Sequence, residues 1–241
     1  QTDDDPFGRC SHFRIGQVEG QSLEAAVERA CLFLRVRQTI LNLPTILLLS
    51  REHPHSDLAD ALESEILGGT VAVSQYGAAT FTPRQTSTVL GVEQSASVVK
   101  SLSSIVFYLR HQAQKGDFLL IDEPELNLHP DNQRKVARFL ARAVNRGFRI
   151  LISTHSDYVL RELNQLLQLG RPDERAKKLV QELGYPEDAL LQPADIGVYL
   201  FQGGTAKEVE VSEEGFEVKT IEDEIAELNE ISQKIYTTFM E

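Results

Sequence analysis

The stretch Phe118-Leu-Leu-Ile-Asp-Glu-Pro-Glu125 decides the fold, because four apolar residues run directly into two adjacent acids. A short apolar run of this kind, bounded by polar residues, is typical of a buried strand. A second such run, Arg149–Ser153, follows a helical pattern over 131–146. Strand, helix and strand in this order predict two neighbouring parallel strands in a sheet that helices cover.

The polar residues that follow the two strands are candidates for a catalytic site. Ligands of open α/β sheets bind at the carboxyl ends of strands, where Asp122 and Glu123 stand. We expect Asp122 to hold the Mg²⁺ of a nucleotide, and Glu123, on the other side of an extended chain, to orient or deprotonate a water. His155 follows the next strand, so it should converge with Glu123 and bond the γ-phosphate or that water. Alternatively, the acids cap a helix and the histidine is structural.

These motifs resemble those of a known family. Leu119-Leu-Ile-Asp-Glu-Pro-Glu-Leu-Asn-Leu-His-Pro130 looks like the Walker B motif and D-loop of ABC ATPases, most closely of the branch shared by SMC, RecF and overcoming-lysogenization-defect proteins. Leu151-Ile-Ser-Thr-His-Ser156 is similar to the switch-histidine motif of that branch. The resemblance covers residues 118–160 and implies an ATPase that uses ATP and Mg²⁺ and works as an ATP-sandwiched homodimer.

The resemblance also implies roles for particular residues. Asp122 would bind Mg²⁺, Glu123 would be the catalytic base and His155 the γ-phosphate sensor. Asn127 to His129 would form the dimer-contacting loop, with Asn127 and His129 beside the nucleotide.

A signature Ser-Gly is expected some twenty to thirty residues before the Walker B motif, and this chain departs from it. Glu93-Gln-Ser-Ala-Ser-Val-Val-Lys100 occupies that place and has no glycine. Ser95 and Ser97 are candidates to donate to a phosphate at a helix N-terminus, and Lys100 would add positive charge. An ordinary helix cap is the alternative.

The phosphate-binding loop Gly-x-x-x-x-Gly-Lys-Ser/Thr does not occur in the 241 residues. Backbone amides of that loop hold the β- and γ-phosphates, so the chain alone is expected to be inactive. The loop could precede this chain in a longer polypeptide, lie on a separate chain, or be lost in a non-hydrolysing relative. We favour the first interpretation. The alternative function is a non-catalytic ABC-like dimerisation or interaction module.

Composition and charge restrict the partners and the cell compartment that the sequence predicts. Its 24 basic and 36 acidic residues give a net charge of −12, which argues against a globally basic nucleic-acid binder. Arginines recur every four residues from Arg134 to Arg146. We expect them to pair with acids on an outer helix face, and contact with nucleic acid or an acidic partner is the alternative. Two cysteines and the lack of a long apolar run predict a cytoplasmic protein without a membrane segment. The family suggests DNA maintenance or anti-phage defence, with DNA or a separate effector as partner.

The predicted fold class is α/β, namely half of an ABC-type P-loop NTPase with a mainly parallel sheet and a small β-hairpin region. We divide the chain into an N-terminal linker, helix and strand (1–55), a helical and hairpin region with the degenerate signature (56–116), and the ATPase core (117–241). In the first part of the chain we predict a helix over 21–43 and a strand over 45–50. A helix over 56–67, capped by Ser56 or Asp57, and a hairpin with its turn near Tyr76-Gly77 should follow. The chain should end in an amphipathic helix whose inward residues are Ile225, Leu228, Ile235 and Phe239.

Overall fold

The computed structural model describes residues 13–18, 55–74, 76–202 and 204–240. The predicted helix over 21–43 and strand over 45–50 lie outside the described residues. The strands are β1 (Phe13–Val18), β2 (Gly69–Val73), β3 (Ala79–Pro83), β4 (Leu90–Gly91), β5 (Phe118–Asp122), β6 (Arg149–Ser153), β7 (Ile196–Gln202) and β8 (Thr205–Val209). The α-helices are α1 (Ser56–Leu62), α2 (Ser97–His111), α3 (Pro130–Asn145), α4 (Asp157–Leu169), α5 (Glu174–Leu183) and α6 (Lys219–Met240).

Within the described residues, a five-stranded sheet carries the two strands on which the fold prediction rests. Its order is β5-β6-β1-β7-β8, with parallel pairing from β5 to β7 and antiparallel pairing of β8 with β7. β1 lies between β6 and β7, so a segment from the start of the chain builds the middle of the sheet. The α/β class and the mainly parallel sheet are confirmed.

Helices α3 and α4 supply much of the core beside this sheet. The predicted apolar stripe of α3 is confirmed, because its members are all buried: Val136, Phe139, Leu140 and Val144. Leu163 and Leu166 of α4 are fully buried and belong to the same hydrophobic cluster as Ile150 and Ile152 of β6. Burial of each such side chain stabilises the fold by roughly 1.5–3 kcal/mol.

The hairpin region forms a separate three-stranded antiparallel sheet, β2-β3-β4, as the alternating pattern predicts. The predicted helix over 56–67 is present, but its second half, Glu63–Leu67, is a π-helix, and its N-cap is His55 rather than Ser56 or Asp57. Arg110 of α2 ties this region together, because its guanidinium pairs with Glu63 at 2.9 Å and Asp60 at 2.6 Å.

The arginine row of α3 pairs with acids, as predicted. Arg134 and Arg138 both bind Glu162 of α4, at 2.6 and 2.5 Å, and the Glu162 side chain is fully buried. The hydrogen bond with Glu162 raises the pKa of Arg134. Further along α3, Arg142 pairs with Glu65 and Asp188, and Arg146 pairs with Asp57. These ion pairs therefore join α3 to α4 and to the α1 region, and they neutralise the positive charge of the four arginines.

The C-terminal helix corrects one sequence prediction. Leu228, Ile235 and Phe239 were predicted to point inward, but they are 61%, 55% and 80% exposed. An amphipathic pattern shows that a helix has an apolar face, but not what that face touches. No described helix is long and apolar enough to cross a membrane.

The buried carboxylate of Glu162 yields a test of this packing. Glu162→Gln should lower the free energy of unfolding by about 2 kcal/mol, because two half-buried arginines lose their counter-charge. Glu65→Gln is the control: Glu65 is more exposed and Arg142 keeps Asp188, so the loss should stay below about 1 kcal/mol. Urea denaturation measures both values, and equal losses would contradict this packing.

Candidate active site

The acids after β5 and the polar residues after β6 meet at one edge of the sheet. The strand register places Asp122 opposite Ser153, the last residue of β6. The Ser153 hydroxyl donates a hydrogen bond to Asp122 Oδ1. The Glu123 amide donates to both Ser153 Oγ, at 3.1 Å, and Ser153 O, at 3.2 Å. Ser153 thus holds both acids in place.

Glu123 faces His155 across the edge, as predicted. Glu123 Oε1 lies 3.9 Å from His155 Nε2, and the two side chains are 38% and 50% exposed. One assumption behind the prediction was wrong, because the chain is not extended here. The φ of Glu123 is 42°, in the left-handed region that side chains disfavour. A strained backbone conformation persists only where the surrounding structure stabilises it. Here the two hydrogen bonds that the Glu123 amide donates to Ser153 stabilise it.

The buried carboxylate of Glu125 holds the segment that carries His155. Glu125 is 8% exposed, and its Oε1 accepts hydrogen bonds from Thr154 Oγ1 at 2.5 Å and from the His155 amide at 3.1 Å. Among the residues that the structure describes, its Oε2 is buried and has no hydrogen-bond partner. Thr154 Oγ1 also accepts from the Ser156 amide at 3.1 Å. Glu125 and Thr154 therefore fix the backbone on both sides of His155.

The loop from β5 to α3 presents polar side chains to solvent. Asn127 is exposed with a φ of 62°, and Leu126 beside it is 55% exposed. His129 is exposed and is the N-cap of α3, where its Nδ1 accepts from the Asp131 amide at 3.4 Å. Leu128 is buried and anchors the loop. A surface loop with this anchor is suited to contact another molecule.

The oxygen ligands at the ends of β5 and β6 are too few to bind a metal ion by themselves, but they suit an Mg²⁺ that a nucleotide also binds. Among the residues that the structure describes, no group of three or more His, Cys, Asp or Glu could hold a metal ion. Asp122 is an exposed carboxylate with the Ser153 hydroxyl beside it. Mg²⁺ commonly takes one or two carboxylates and completes its shell with water and phosphate oxygens.

The signature candidates lie on a different segment, at the start of α2, which packs against α1 and β2. Ser95 is half-buried and its hydroxyl donates to Gly91 O at 3.0 Å, within its own turn. Ser97 and Lys100 are exposed on the first turn of α2. The cap interpretation is wrong, because the N-cap is Ala96 and makes no side-chain cap.

Three residues of the edge were not singled out from sequence, namely Ser153, Thr154 and Glu125. A usable signal existed for the first two, since polar residues at the end of an apolar strand face the same edge as the acids. Glu125 belongs to the quoted Walker B stretch, but no local signal indicated its role, because its hydrogen bonds span about thirty residues of chain.

Comparison with known proteins places this site in an ATPase-type region. Residues 55–160, which include both strands and His155, match the family model described as the AAA ATPase domain. No curated protein matches the chain. One similar solved structure is described as "Structural biochemistry of ATP-driven dimerization and DNA stimulated activation of SMC ATPases". It shares 16% identity and a TM-score of 0.45, over 78% of this chain and 97% of that one.

The family match confirms the predicted resemblance at the level of the ATPase domain. It spans less than half of the chain. What is established is an ATPase-type region whose strand ends hold an acid pair and a histidine.

The support beneath His155 can be tested on the folded chain. Thr154→Val removes a donor from buried Glu125 and should lower the free energy of unfolding by about 2 kcal/mol. Thr154→Ser keeps the hydroxyl and loses one methyl group, so its loss should be about 1 kcal/mol or less. Chemical denaturation of the two variants compares them, and a Ser variant as unstable as the Val variant would argue against the hydrogen bond.

Proposed function

We propose that this chain supplies the hydrolytic part of an ATP site, with Glu123 as the general base, His155 as its γ-phosphate-facing partner and Asp122 as the Mg²⁺ ligand. The observation that carries the proposal is the approach of Glu123 Oε1 to His155 Nε2, 3.9 Å apart beside Asp122. The match of residues 55–160 to an ATPase domain supports the same chemistry.

The geometry suits activation of a water molecule. A water within hydrogen-bond distance of both Glu123 and His155 fits a separation of 3.9 Å between their terminal atoms. Glu123 would take a proton from that water as it attacks the γ-phosphate, and His155 would donate a hydrogen bond to the phosphate or orient the water. Both side chains are half-exposed, so a substrate can reach them.

Magnesium, when bound with ATP, would neutralise the charge that develops on the phosphates. Asp122 would be its ligand from this chain, and Ser153 would keep that carboxylate turned to the sheet edge. The phosphate-binding loop is not among the 241 residues. We therefore propose that it comes from a preceding part of a longer polypeptide, or from another chain.

The exposed loop with Leu126, Asn127 and His129 supports the dimeric part of the proposal. A second copy would contact this loop when two ATP molecules are sandwiched, and Ser95, Ser97 and Lys100 would face the nucleotide of the other copy. ATP binding would close the dimer and hydrolysis would open it. The pathway we propose is cytoplasmic DNA maintenance or anti-phage defence, with DNA or a separate effector as partner.

One observation favours the alternative, a non-catalytic interaction module. The Ser95 hydroxyl is engaged in its own turn, and the signature glycine is absent. A module of this kind would pair with a partner without turnover, so the two proposals differ in whether Glu123 affects a rate.

Glu123→Gln tests the base directly, in the assembly that joins this chain to a phosphate-binding loop. The amide cannot accept the proton, so kcat should fall by about 100-fold or more while ATP binding persists. Steady-state phosphate release measures the rate, and nucleotide titration measures binding. Glu208→Gln, an exposed acid on β8, is the matched control. Unchanged turnover in Glu123→Gln would refute the base.

His155→Ala separates a sensor from a structural histidine. Loss of the imidazole should lower kcat by about 10-fold or more, because a hydrogen bond to the reacting groups disappears. The free energy of unfolding should change by less than about 1 kcal/mol, since the side chain is half-exposed. A variant that unfolds more easily but turns over ATP at the normal rate would make His155 structural.

A further inference from the structure

Gln133, near the start of α3, joins the loop that follows β5 to the segment that carries His155. Its Nε2 donates a hydrogen bond to Leu128 O at 2.9 Å, and its Oε1 accepts one from Ser156 Oγ at 2.5 Å. The Leu128 carbonyl can only accept, so the side-chain amide must turn its nitrogen toward the loop. The contact with Ser156 spans 23 residues of chain and crosses from α3 to the start of α4.

Ser156 is held on two sides, and His155 precedes it directly. The Ser156 hydroxyl has a single proton, which it donates to Gln133, and the same oxygen caps α4. The Ser156 amide donates to Thr154 Oγ1 at 3.1 Å. His155 therefore lies between two anchored residues, because Thr154 is bound to buried Glu125 and Ser156 is bound to Gln133.

A glutamine suits position 133 because its side-chain amide has both a donor and an acceptor. A carboxylate could accept from Ser156 but would repel Leu128 O, and an apolar side chain would make neither hydrogen bond. Gln133 is half-buried between the two segments that it joins. Loss of its amide would leave Ser156 free to shift, and His155 would shift with it because the two residues are neighbours in the chain.

We propose that Gln133 is a positioning residue of the ATP site, which fixes the distance between the His155 segment and the loop that carries Asn127 and His129. The catalytic part of this proposal rests on the proposed function, because it takes His155 as the group that faces the γ-phosphate. Gln133 acts only through the placement of His155. Its loss should therefore slow turnover without weakening ATP binding.

Amide hydrogen exchange in the 241-residue chain tests the placement without nucleotide. Gln133→Met keeps the length of the side chain and removes both hydrogen bonds. The His155 and Ser156 amides should then exchange about 5-fold faster or more, relative to the Ile150 amide of β6. Gln168→Met is the matched control, because Gln168 donates to a backbone carbonyl 46 residues away, at 2.8 Å. It should leave the exchange of His155 relative to Ile150 unchanged.

The Ile150 amide separates a local effect from a loss of overall stability. If Gln133→Met accelerates exchange equally at His155 and Ile150, Gln133 contributes only to the stability of the whole fold, and the proposed placement is overturned. Unchanged exchange at His155 and Ser156 would overturn it as well.

A double-variant cycle tests the catalytic part in the assembly that joins this chain to a phosphate-binding loop. Gln133→Met should lower kcat by about 5-fold and leave the dissociation constant of ATP unchanged. Because Gln133 acts through His155, adding Gln133→Met to His155→Ala should change kcat by less than about twofold.

Two kinetic outcomes would overturn the catalytic part, namely an unchanged kcat in Gln133→Met and losses that multiply in the double variant. An unchanged kcat in His155→Ala would have a different meaning. It would refute the proposed role of His155, and the catalytic part would fail with it. The placement of Gln133 would then still be decided by the exchange of His155 relative to Ile150.

Discussion

The pairing of Asp122 with Ser153 across two parallel strands is the constraint on which the site depends. The parallel register brings the ends of β5 and β6 to the same level. The Ser153 hydroxyl, at the end of β6, donates a hydrogen bond to Asp122, at the end of β5. His155 follows two residues after Ser153. The Glu123 amide donates hydrogen bonds to the same serine. A shift of register by one residue would turn Asp122 to the other face and separate Glu123 from His155.

The remaining structure keeps these two strand ends rigid. Helices α3 and α4 begin directly after the two polar segments, and buried Glu162 locks them together through Arg134 and Arg138. Glu125 is buried and accepts a hydrogen bond from the His155 amide, which fixes the segment that carries His155. Buried charged groups, and not apolar packing alone, therefore hold the two strand ends in place.

Two surfaces remain for other molecules, and they differ in character. The loop with Asn127 and His129 is polar and lies next to the acid pair, which suits a contact that forms with nucleotide. Helix α6 is different, because its exposed side chains Leu228, Ile235 and Phe239 are apolar.

The sequence by itself determined the parallel β5–β6 unit, the core stripe of α3, the hairpin region and the convergence of Glu123 with His155. These follow from hydrophobic periodicity, which is local, and from the general rule that two parallel strands joined by one helix share their carboxyl edge. Only the tertiary structure decided the left-handed backbone of Glu123, the role of Glu125, the position of β1 within the sheet and the exposure of Leu228, Ile235 and Phe239. Each of these depends on contacts between segments far apart in the chain, and an apolar pattern records that a face is apolar but not which surface covers it.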